Sequence, residues 1–534
     1  MSNPDSNNSN KKSSLDELSF LQGLQTEFSS IGEMISTRAQ EIPDRVFVKY
    51  YDQSYTYAQT NEKANRVAHY LKSQGVQKGD IVSLLILNSP EIYDCMFGAQ
   101  KLGATAGLIN YALKGPEIAY VLDDSRPKVV FVGSDFMAEF VLGYNQAKHK
   151  PEVVEVVTEV KHTETLATST LSAILTDFPD DEILIPQQLE DPYLLLYSSG
   201  TTGKPKGILN SSRGQFSICR AMAQLGIVEG DDVMLILLPM FHINPICVWT
   251  IPLMFCGQTV CIRSAYSPAD FWPAITENGI TILQGVPAMY NYVYYSIDPD
   301  TIDRSKLKLR WAFSGAAPLA VDLIEGFKEK FDVNIIEGYG LTENNGIATA
   351  NPIHGMRKNG SVGVAIPEQE IEIMDDDLNP MPVGEPGEVC IKGECNMVGY
   401  LNKPEATEET LIDGWLRTGD VAYRDDDGFF YIVDRKKDMI NRGGENIYPR
   451  EIEIVLEPHP DIVAVAVLGH PDEALGERVK AVIELSSPDA LTGDEVKAYL
   501  ADKIAKYKIP EIVEFTEALP RNPTGKVLKR MLRD

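Results

Sequence analysis

The sequence predicts an α/β protein in two unequal parts: a large N-terminal domain of mixed and parallel sheets flanked by helices, carrying a β-rich subdomain, and a small α+β C-terminal domain. Three observations carry this expectation. Short apolar, β-branched runs alternate with helical patterns through the first three quarters of the chain. The pattern turns β-rich from about Gly360 to Lys392, around the turn Gly384-Glu385-Pro386-Gly387. A dense charge run, Asp434-Arg435-Lys436-Lys437-Asp438, then marks a change of composition. Such alternation favours parallel strands joined by crossover helices.

The elements follow in order. Met1–Ser14 is rich in Asn and Ser with no apolar core, which predicts a disordered tail, not a signal peptide. Strands are expected at Ile81–Leu87, Val129–Val132, Tyr193–Tyr197, Val233–Leu238, Ile282–Gln284 and Val333–Ile336, and helices at Pro90–Leu102, Pro268–Asn278 and Leu319–Phe331. The uncharged stretch Val233–Gly257 is long enough for a membrane span. Pro239, Pro245 and Pro252 interrupt it, so a buried strand, a loop and a core helix are expected there instead. After the charge run, a helix near Tyr448–Glu457, strands near Ile462–Leu468 and Val479–Leu485, and a helix near Thr492–Ala505 read as a separate small domain.

A chain of 534 residues exceeds one ordinary core, and 44% hydrophobic with 24% charged residues is the balance of a globular enzyme. The formal charge of −28 argues against DNA, RNA or an anionic membrane as partner, since each demands a basic footprint. The seven cysteines form no CxxC pair and lie far from the seven histidines, so free buried thiols in a reducing, cytoplasmic setting are expected and a zinc site is not.

One loop stands out. Ser198-Ser199-Gly200-Thr201-Thr202-Gly203-Lys204-Pro205-Lys206-Gly207 places four hydroxyls, three glycines and two lysines directly after a strand. Glycines let backbone N–H groups approach an oxyanion, hydroxyls donate further bonds, and lysines add positive charge. The loop reads as a polyphosphate cradle. It is not the common P-loop, because Lys204 is followed by Pro205 and not by Ser or Thr.

Other clusters supply complementary chemistry. In Glu337-Gly338-Tyr339-Gly340-Leu341-Thr342-Glu343, a Tyr beside glycines can lie flat on a purine, Thr342 can donate to a phosphate, and Glu343 can hold Mg²⁺ through its oxygens. The small residues of Ser314-Gly315-Ala316-Ala317-Pro318 leave room for a base beside the backbone. Arg417-Thr418-Gly419-Asp420, expected just ahead of a short turn, offers a carboxylate for two ribose hydroxyls.

Together these motifs resemble the acyl-adenylate-forming superfamily, which contains acyl-CoA synthetases, luciferases and the adenylation domains of peptide synthetases. Matches run in order from about Gln100 to Lys526. The resemblance implies an AMP-forming acyl-CoA ligase that uses ATP, Mg²⁺ and coenzyme A, with residues 15–434 binding nucleotide and acid, 435–437 forming a hinge and 438–534 a mobile domain. It places Ser198 to Lys204 and Lys206 on the phosphates, and Gly315, Ala316, Ala317, Glu337, Gly338 and Tyr339 around adenine. Thr342 then meets the α-phosphate, Glu343 the metal, and Asp420 with Arg435 the ribose. Lys526, in Pro520-Arg521-Asn522-Pro523-Thr524-Gly525-Lys526, takes the place of the catalytic lysine. Lys437 takes that of the pivot, and Gly443-Gly444 enters the site after rotation to line a pantetheine tunnel. Asn441 stands where many relatives carry lysine.

Two features bear on the acid. Relatives that activate amino acids carry Asp after the Phe of a Pro-x-Phe element, whereas Pro239-Met240-Phe241-His242 offers His242, grouped here with the catalytic residues. Acetate enzymes carry Trp after the adenine Tyr, where this chain has Gly340, which implies an acid larger than acetate. Pocket walls are expected at His242, Ile243, Trp249, Val286, Gly338, Gly340, Asn345 and Gly346, suiting a short- or medium-chain or carbocyclic acid. Running the reaction in reverse to make ATP would leave the same motifs, and homodimerisation is left open. A luciferase-like or other adenylating enzyme with a non-CoA acceptor and a non-catalytic nucleotide-binding regulator are the alternatives; the regulator would have lost Lys526 or Glu343.

Overall fold

The computed structural model describes residues 15, 18–158, 166–198, 205–315, 317, 319–443, 445–472, 475–488, 490–521 and 527–533. Two large sheets build the N-terminal part. In the first, the described strands lie in the order Gly399–Tyr400, Gly207–Ser211, Pro192–Tyr197, Thr105–Leu108, Ile81–Leu85, Val129–Gly133, Glu152–Val156 and Ser169–Thr170. From Pro192–Tyr197 onward neighbours are parallel, as crossover helices require.

In the second sheet the order is Val364–Ala365, Thr349–Ala350, Ile335–Tyr339, Trp311–Ser314, Ile282–Gly285, Val233–Ile236, Thr259–Ile262, Val46–Tyr50 and Gln53–Thr56. The run from Ile335–Tyr339 to Val46–Tyr50 is parallel. Tyr339, Ser314, Gly285 and Ile236 therefore end their strands along one edge, where open parallel sheets bind ligands. Both faces of this sheet are buried. Met234 and Ile236 pack with Trp249, Phe255 and Phe97 in one cluster, while Leu235 packs with Phe271, Tyr290 and Phe327 in another. The period of two along the strand sends alternate side chains to opposite layers.

The strand expected at Val333–Ile336 runs instead over Ile335–Tyr339. Asp332 ends the preceding helix in a left-handed conformation (φ 61°), and the chain becomes extended only after that reversal. The stretch Val233–Gly257 holds the strand Val233–Ile236, a π-helical turn Asn244–Thr250 and the helix Ile251–Phe255. The change from π to α geometry falls at Ile251, one residue before Pro252, which has no N–H to contribute to a ladder. Arg38 is fully buried and donates from Nε to Met254 O (3.1 Å) and from its guanidinium to Phe255 O, closing that helix's C-terminal end.

A third sheet joins Gln369–Met374, Gly387–Gly393, Trp415–Arg424 and Leu411–Ile412, with Phe430–Arg435 on Trp415–Arg424. A fourth, with its own core around Ile440, Leu456, Val467, Val479 and Leu500, joins Glu445–Ile447, Ile440–Arg442, Gly476–Leu485, Ile462–Asp472 and Ile512–Thr516. Lys436–Asp438 forms a single 3₁₀ turn between these two sheets. The expected helix Thr492–Ala505 spans Gly493–Leu500, capped by the Thr492 side chain. No described helix is long and apolar enough to cross a membrane, and all seven cysteines are free and buried.

Candidate active site

The strands Pro192–Tyr197 and Gly207–Ser211 form a hairpin whose neck is closed by Tyr197 opposite Gly207 and by Ser198 N–H donating to Lys206 O at 3.0 Å. The Pro205 carbonyl accepts from the Tyr120 hydroxyl at 2.9 Å. Ser199, Gly200, Thr201, Thr202, Gly203 and Lys204 lie outside the described residues, as do Ala316, Gly444 and Lys526.

At the neck, Lys206 Nζ lies 4.5 Å from the centre of the Tyr400 ring. The Tyr400 hydroxyl in turn donates to Glu343 Oε1 at 3.1 Å. Glu343 is held in the 3₁₀ turn Thr342–Asn344, with its carbonyl accepting from Met397 N–H at 2.7 Å; Thr342 O accepts from Asn210 Nδ2 at 3.2 Å. Remote segments thus converge on the Thr342–Asn344 turn, and Tyr400 reaches its carboxylate. Burial raises the Glu343 carboxyl above the usual glutamate range, against the Tyr400 hydrogen bond and the Arg435 charge that lower it. A divalent cation would supply the charge such a half-buried oxygen pair lacks, so Glu343 fits Mg²⁺.

Tyr339, at the end of its strand, donates its hydroxyl to Asp420 Oδ2 at 2.7 Å. Arg435 Nε lies 2.7 Å from Asp420 Oδ1, and the two residues sit opposite each other across neighbouring antiparallel strands. Burial, together with the Asp420 carboxylate, raises the Tyr339 phenol; Arg435 is raised by Asp420 despite its own burial. The motif Arg417–Asp420 does not precede a short turn. It lies inside the ten-residue strand Trp415–Arg424. What resembles a turn is a bulge: Val389 faces three residues, Thr418, Gly419 and Asp420, between the pairs Glu388–Val421 and Cys390–Arg417. Gly419 takes φ +71° there, which an L side chain rarely adopts.

Glu337 is buried and accepts from Leu319 N–H (3.3 Å) and Gly360 N–H (3.2 Å). Burial outweighs those bonds and raises its carboxyl to about 7. Gly315 packs beside Gly338, where an added Cβ would stand 3.5 Å from Gly338 O. Ala317 is exposed close to the same strand end.

On the acyl side, His242 begins the segment that leads into the π-helical turn, with its ring 4.3 Å from Phe241 and its buried Nε2 without a hydrogen-bond partner. Burial pushes its imidazole down to about 4, so it is neutral near pH 7. Trp249 is wholly buried between Trp311 (5.9 Å) and Phe313 (5.5 Å). Gly346 nests against Val248 and Ile243, and Gly340 against Gly346 itself: a Cβ on Gly340 would stand 2.4 Å from Gly346 O. Gly338 backs onto the Phe313 ring. Asn345, also buried, donates from Nδ2 to Cys395 O at 2.8 Å. Ile243, Trp249, Gly338, Gly340 and Gly346 therefore share one neighbourhood. Val286 does not, packing instead with Tyr290 and Phe271 in the second core cluster.

Lys437 lies in the turn Lys436–Asp438. Gly443, with φ +61°, donates its N–H to Leu475 O at 2.7 Å in the fourth sheet. A cleft of about 350 Å³ opens beside Glu343 and Tyr400, lined also by Leu341, Thr418, Arg417 and Lys436. A wider one, about 590 Å³, lies at the opposite ends of the strands, by Asp232, Thr281 and Arg310. Of the sequence motifs, Leu341 and Glu343 of one and Arg417, Thr418 and Gly419 of another line the smaller cleft. Tyr400 and Glu388 escaped the sequence reading, because their importance comes from tertiary partners and not from a motif.

The chain matches the family model described as AMP-binding enzyme over residues 35–401 and that of the AMP-binding enzyme C-terminal domain over residues 451–526. It is 36% identical over 508 residues to the long-chain-fatty-acid–CoA ligase FadD13 of Mycobacterium tuberculosis, covering 95% of this chain and 98% of that one. It is 34% identical over 511 residues to feruloyl-CoA synthase of Amycolatopsis sp, covering 94% and 98%. Among solved structures, ATP-bound MatB from Rhodopseudomonas palustris superposes with a TM-score of 0.84 at 27% identity, covering 94% of this chain and 98% of that one.

Proposed function

The chain belongs to the AMP-binding enzyme family of acyl- and aryl-CoA ligases, and from that premise we propose that it joins a short- to medium-chain or carbocyclic acid, larger than acetate, to coenzyme A through an acyl-adenylate. The observation that carries this reading is the closeness of two polar chains, Tyr339–Asp420–Arg435 and Lys206–Tyr400–Glu343, the Arg435 and Asp420 charges of the first acting on the Glu343 carboxyl of the second. The first suits a nucleoside and the second a phosphate chain.

In the first half-reaction the Ser198–Gly207 loop and Thr342 hold the phosphates, Tyr339 lies against adenine, and Asp420 with Arg435 fixes the ribose for in-line displacement. Mg²⁺ at Glu343 would offset phosphate charge. The acid's carboxylate attacks the α-phosphorus, forming the mixed anhydride and releasing pyrophosphate. Lys526 neutralises charge that grows between the two anions. In the second half the domain spanning 438–534 turns about Lys437 and Gly443-Gly444 admits the thiol arm. The thiolate attacks the acyl carbon, the C–O bond to phosphate breaks, and AMP leaves. His242, neutral and unpaired, borders the carboxylate without attracting an ammonium. The tightly filled Trp249–Trp311–Phe313 cluster limits the depth open to the acyl tail.

The test is mass spectrometry on protein incubated with Mg-ATP, coenzyme A and a pooled library of carboxylic acids. A new thioester with matching AMP is the expected result and names the acid by mass. Adenylate without thioester would point to another acceptor, and ADP in place of AMP would overturn the reading.

A further inference from the structure

Glu388 occupies the second position of the strand Gly387–Gly393 and is almost wholly buried. Its carboxylate is saturated. Oε1 accepts from Gly419 N–H at 2.9 Å, while Oε2 accepts from Arg417 Nε (3.1 Å), from the Arg417 guanidinium a second time (2.7 Å) and from Lys436 Nζ (3.2 Å). These partners lie on two separate segments. Gly419 belongs to the bulge that presents Asp420 and Arg417 directly precedes it; Lys436 stands directly after Arg435 and directly before Lys437. Thr418 completes the bulge, donating its hydroxyl to Val389 O at 2.8 Å and accepting Asp420 N–H at 3.1 Å.

Asp376 also meets Lys436 and approaches Arg417 at 3.6 Å, but its side chain is 80% exposed. An exposed pair of that kind contributes little. Burial alone would raise the Glu388 carboxyl; the Arg417 hydrogen bonds, Gly419 N–H and Lys436 charge hold it below the usual glutamate range. A buried carboxylate matched by two cations and a backbone N–H costs much to disturb and holds its partners in one geometry.

We propose that Glu388 is a positioning residue that joins the Asp420 bulge and the N-terminal side of the Lys436–Asp438 turn into one unit, so that the ribose-binding pair Asp420–Arg435 keeps its register. The inference rests on the ligase reading, in which Asp420 and Arg435 hold the ribose. It adds that domain rotation begins after Lys436, because Lys436 is anchored to the third sheet.

The test measures AMP affinity by calorimetry, with the KM values for ATP and for the acid, in wild type, Glu388→Gln, Glu388→Asp and Asp376→Asn. Glu388→Gln keeps an acceptor for Gly419 N–H and leaves two cations unmatched. Glu388→Asp keeps the charge and withdraws the carboxylate. Both weaken AMP about tenfold and raise the ATP KM alike, the scale of one lost charge-assisted hydrogen bond, with the acid KM unchanged; Asp376→Asn behaves as wild type. A purely structural role would raise the ATP and acid KM values together, whatever the thermal midpoint does, and that outcome overturns the proposal. So does unchanged AMP affinity in whichever Glu388 variant folds. Wild-type protein that binds no AMP overturns the ligase reading itself, and this inference with it.

Discussion

Tyr339 and Asp420, 81 positions apart in sequence, meet in a 2.7 Å hydrogen bond that ties the edge of the large parallel sheet to the antiparallel sheet beside it. The phenol donates to one carboxylate oxygen while Arg435 holds the other. Both oxygens are thus engaged by groups that would flank a nucleoside, and the carboxylate is oriented before any ligand arrives.

Replacing Asp420 by Asn retains its size and removes the charge that Arg435 and Tyr339 share. The ATP KM in pyrophosphate exchange should rise by about 10- to 100-fold. Tyr339→Phe, which leaves the Asp420–Arg435 pair intact, should cost less. Equal effects would mean that the phenol, not the carboxylate, sets nucleotide affinity.

Lys526→Ala should slow adenylate formation on the order of 100- to 1000-fold and spare thioester formation from supplied adenylate. Lys437→Pro, which stiffens the pivot, should do the reverse. Rapid-quench measurement of each half-reaction separates the two variants. A uniform loss in both would place Lys526 outside the charge-neutralising role.

Gly340 faces backbone and not open space: its Cβ would meet Gly346 O at 2.4 Å and Ile347 Cα at 2.5 Å. Gly340→Ala should therefore lower stability by about 1–3 kcal/mol through overpacking, seen as a lower thermal midpoint. If the variant is as stable as wild type and merely prefers smaller acids, Gly340 borders an open pocket after all.

Near pH 7 His242 carries no charge, its imidazole being held at about 4 by burial. Between pH 5.5 and 8 the rate profile should keep its shape in His242→Phe, although the choice of acid changes. An inflection near pH 6.5 that vanishes in this variant would show that His242 titrates in the working range.

Asp94, on the buried helix Glu91–Lys101, has its carboxyl raised to about 7 from 3.8 by burial, offset only in part by Lys63 Nζ at 3.5 Å. The native state binds this proton more tightly than the unfolded chain does. Stability from Asp94 is present below about pH 4 and is lost as pH rises toward 7. Asp94→Asn should thus gain on the order of a few kcal/mol in urea melts at pH 8 and almost nothing at pH 4. A gain independent of pH would mean that Asp94 is ionised in the native state throughout.

Much of this architecture was legible because buried parallel strands advertise themselves as short apolar runs, and because Ser198–Gly207, Glu337–Glu343 and Arg417–Asp420 are contiguous in sequence. Tyr400 was not legible. Its role arises from the pairing of Gly399–Tyr400 with Ile208 and Leu209, a contact between remote segments. Glu388 was hidden likewise, as one glutamate among many until the bulge and the 3₁₀ turn converge on it. Val286 follows directly on the strand Ile282–Gly285 and packs in the second core cluster, a placement its position in the sequence does not disclose. The Arg417–Asp420 motif carries a glycine that suits a turn and a bulge equally, and only the strand partner decides between them.

The burial of every cysteine reaches into how this protein is assayed. Cys219, Cys390 and Cys395 have their thiols pushed up to about 12 by burial, and Cys95 and Cys256 are raised well above their ordinary value. Thiolate, not thiol, is the reactive form. A colorimetric thiol reagent added to the folded protein therefore finds a silent background, and the only sulfhydryl it counts is that of the coenzyme A being consumed. The polypeptide also offers no reactive sulfur with which that coenzyme could form a mixed disulfide.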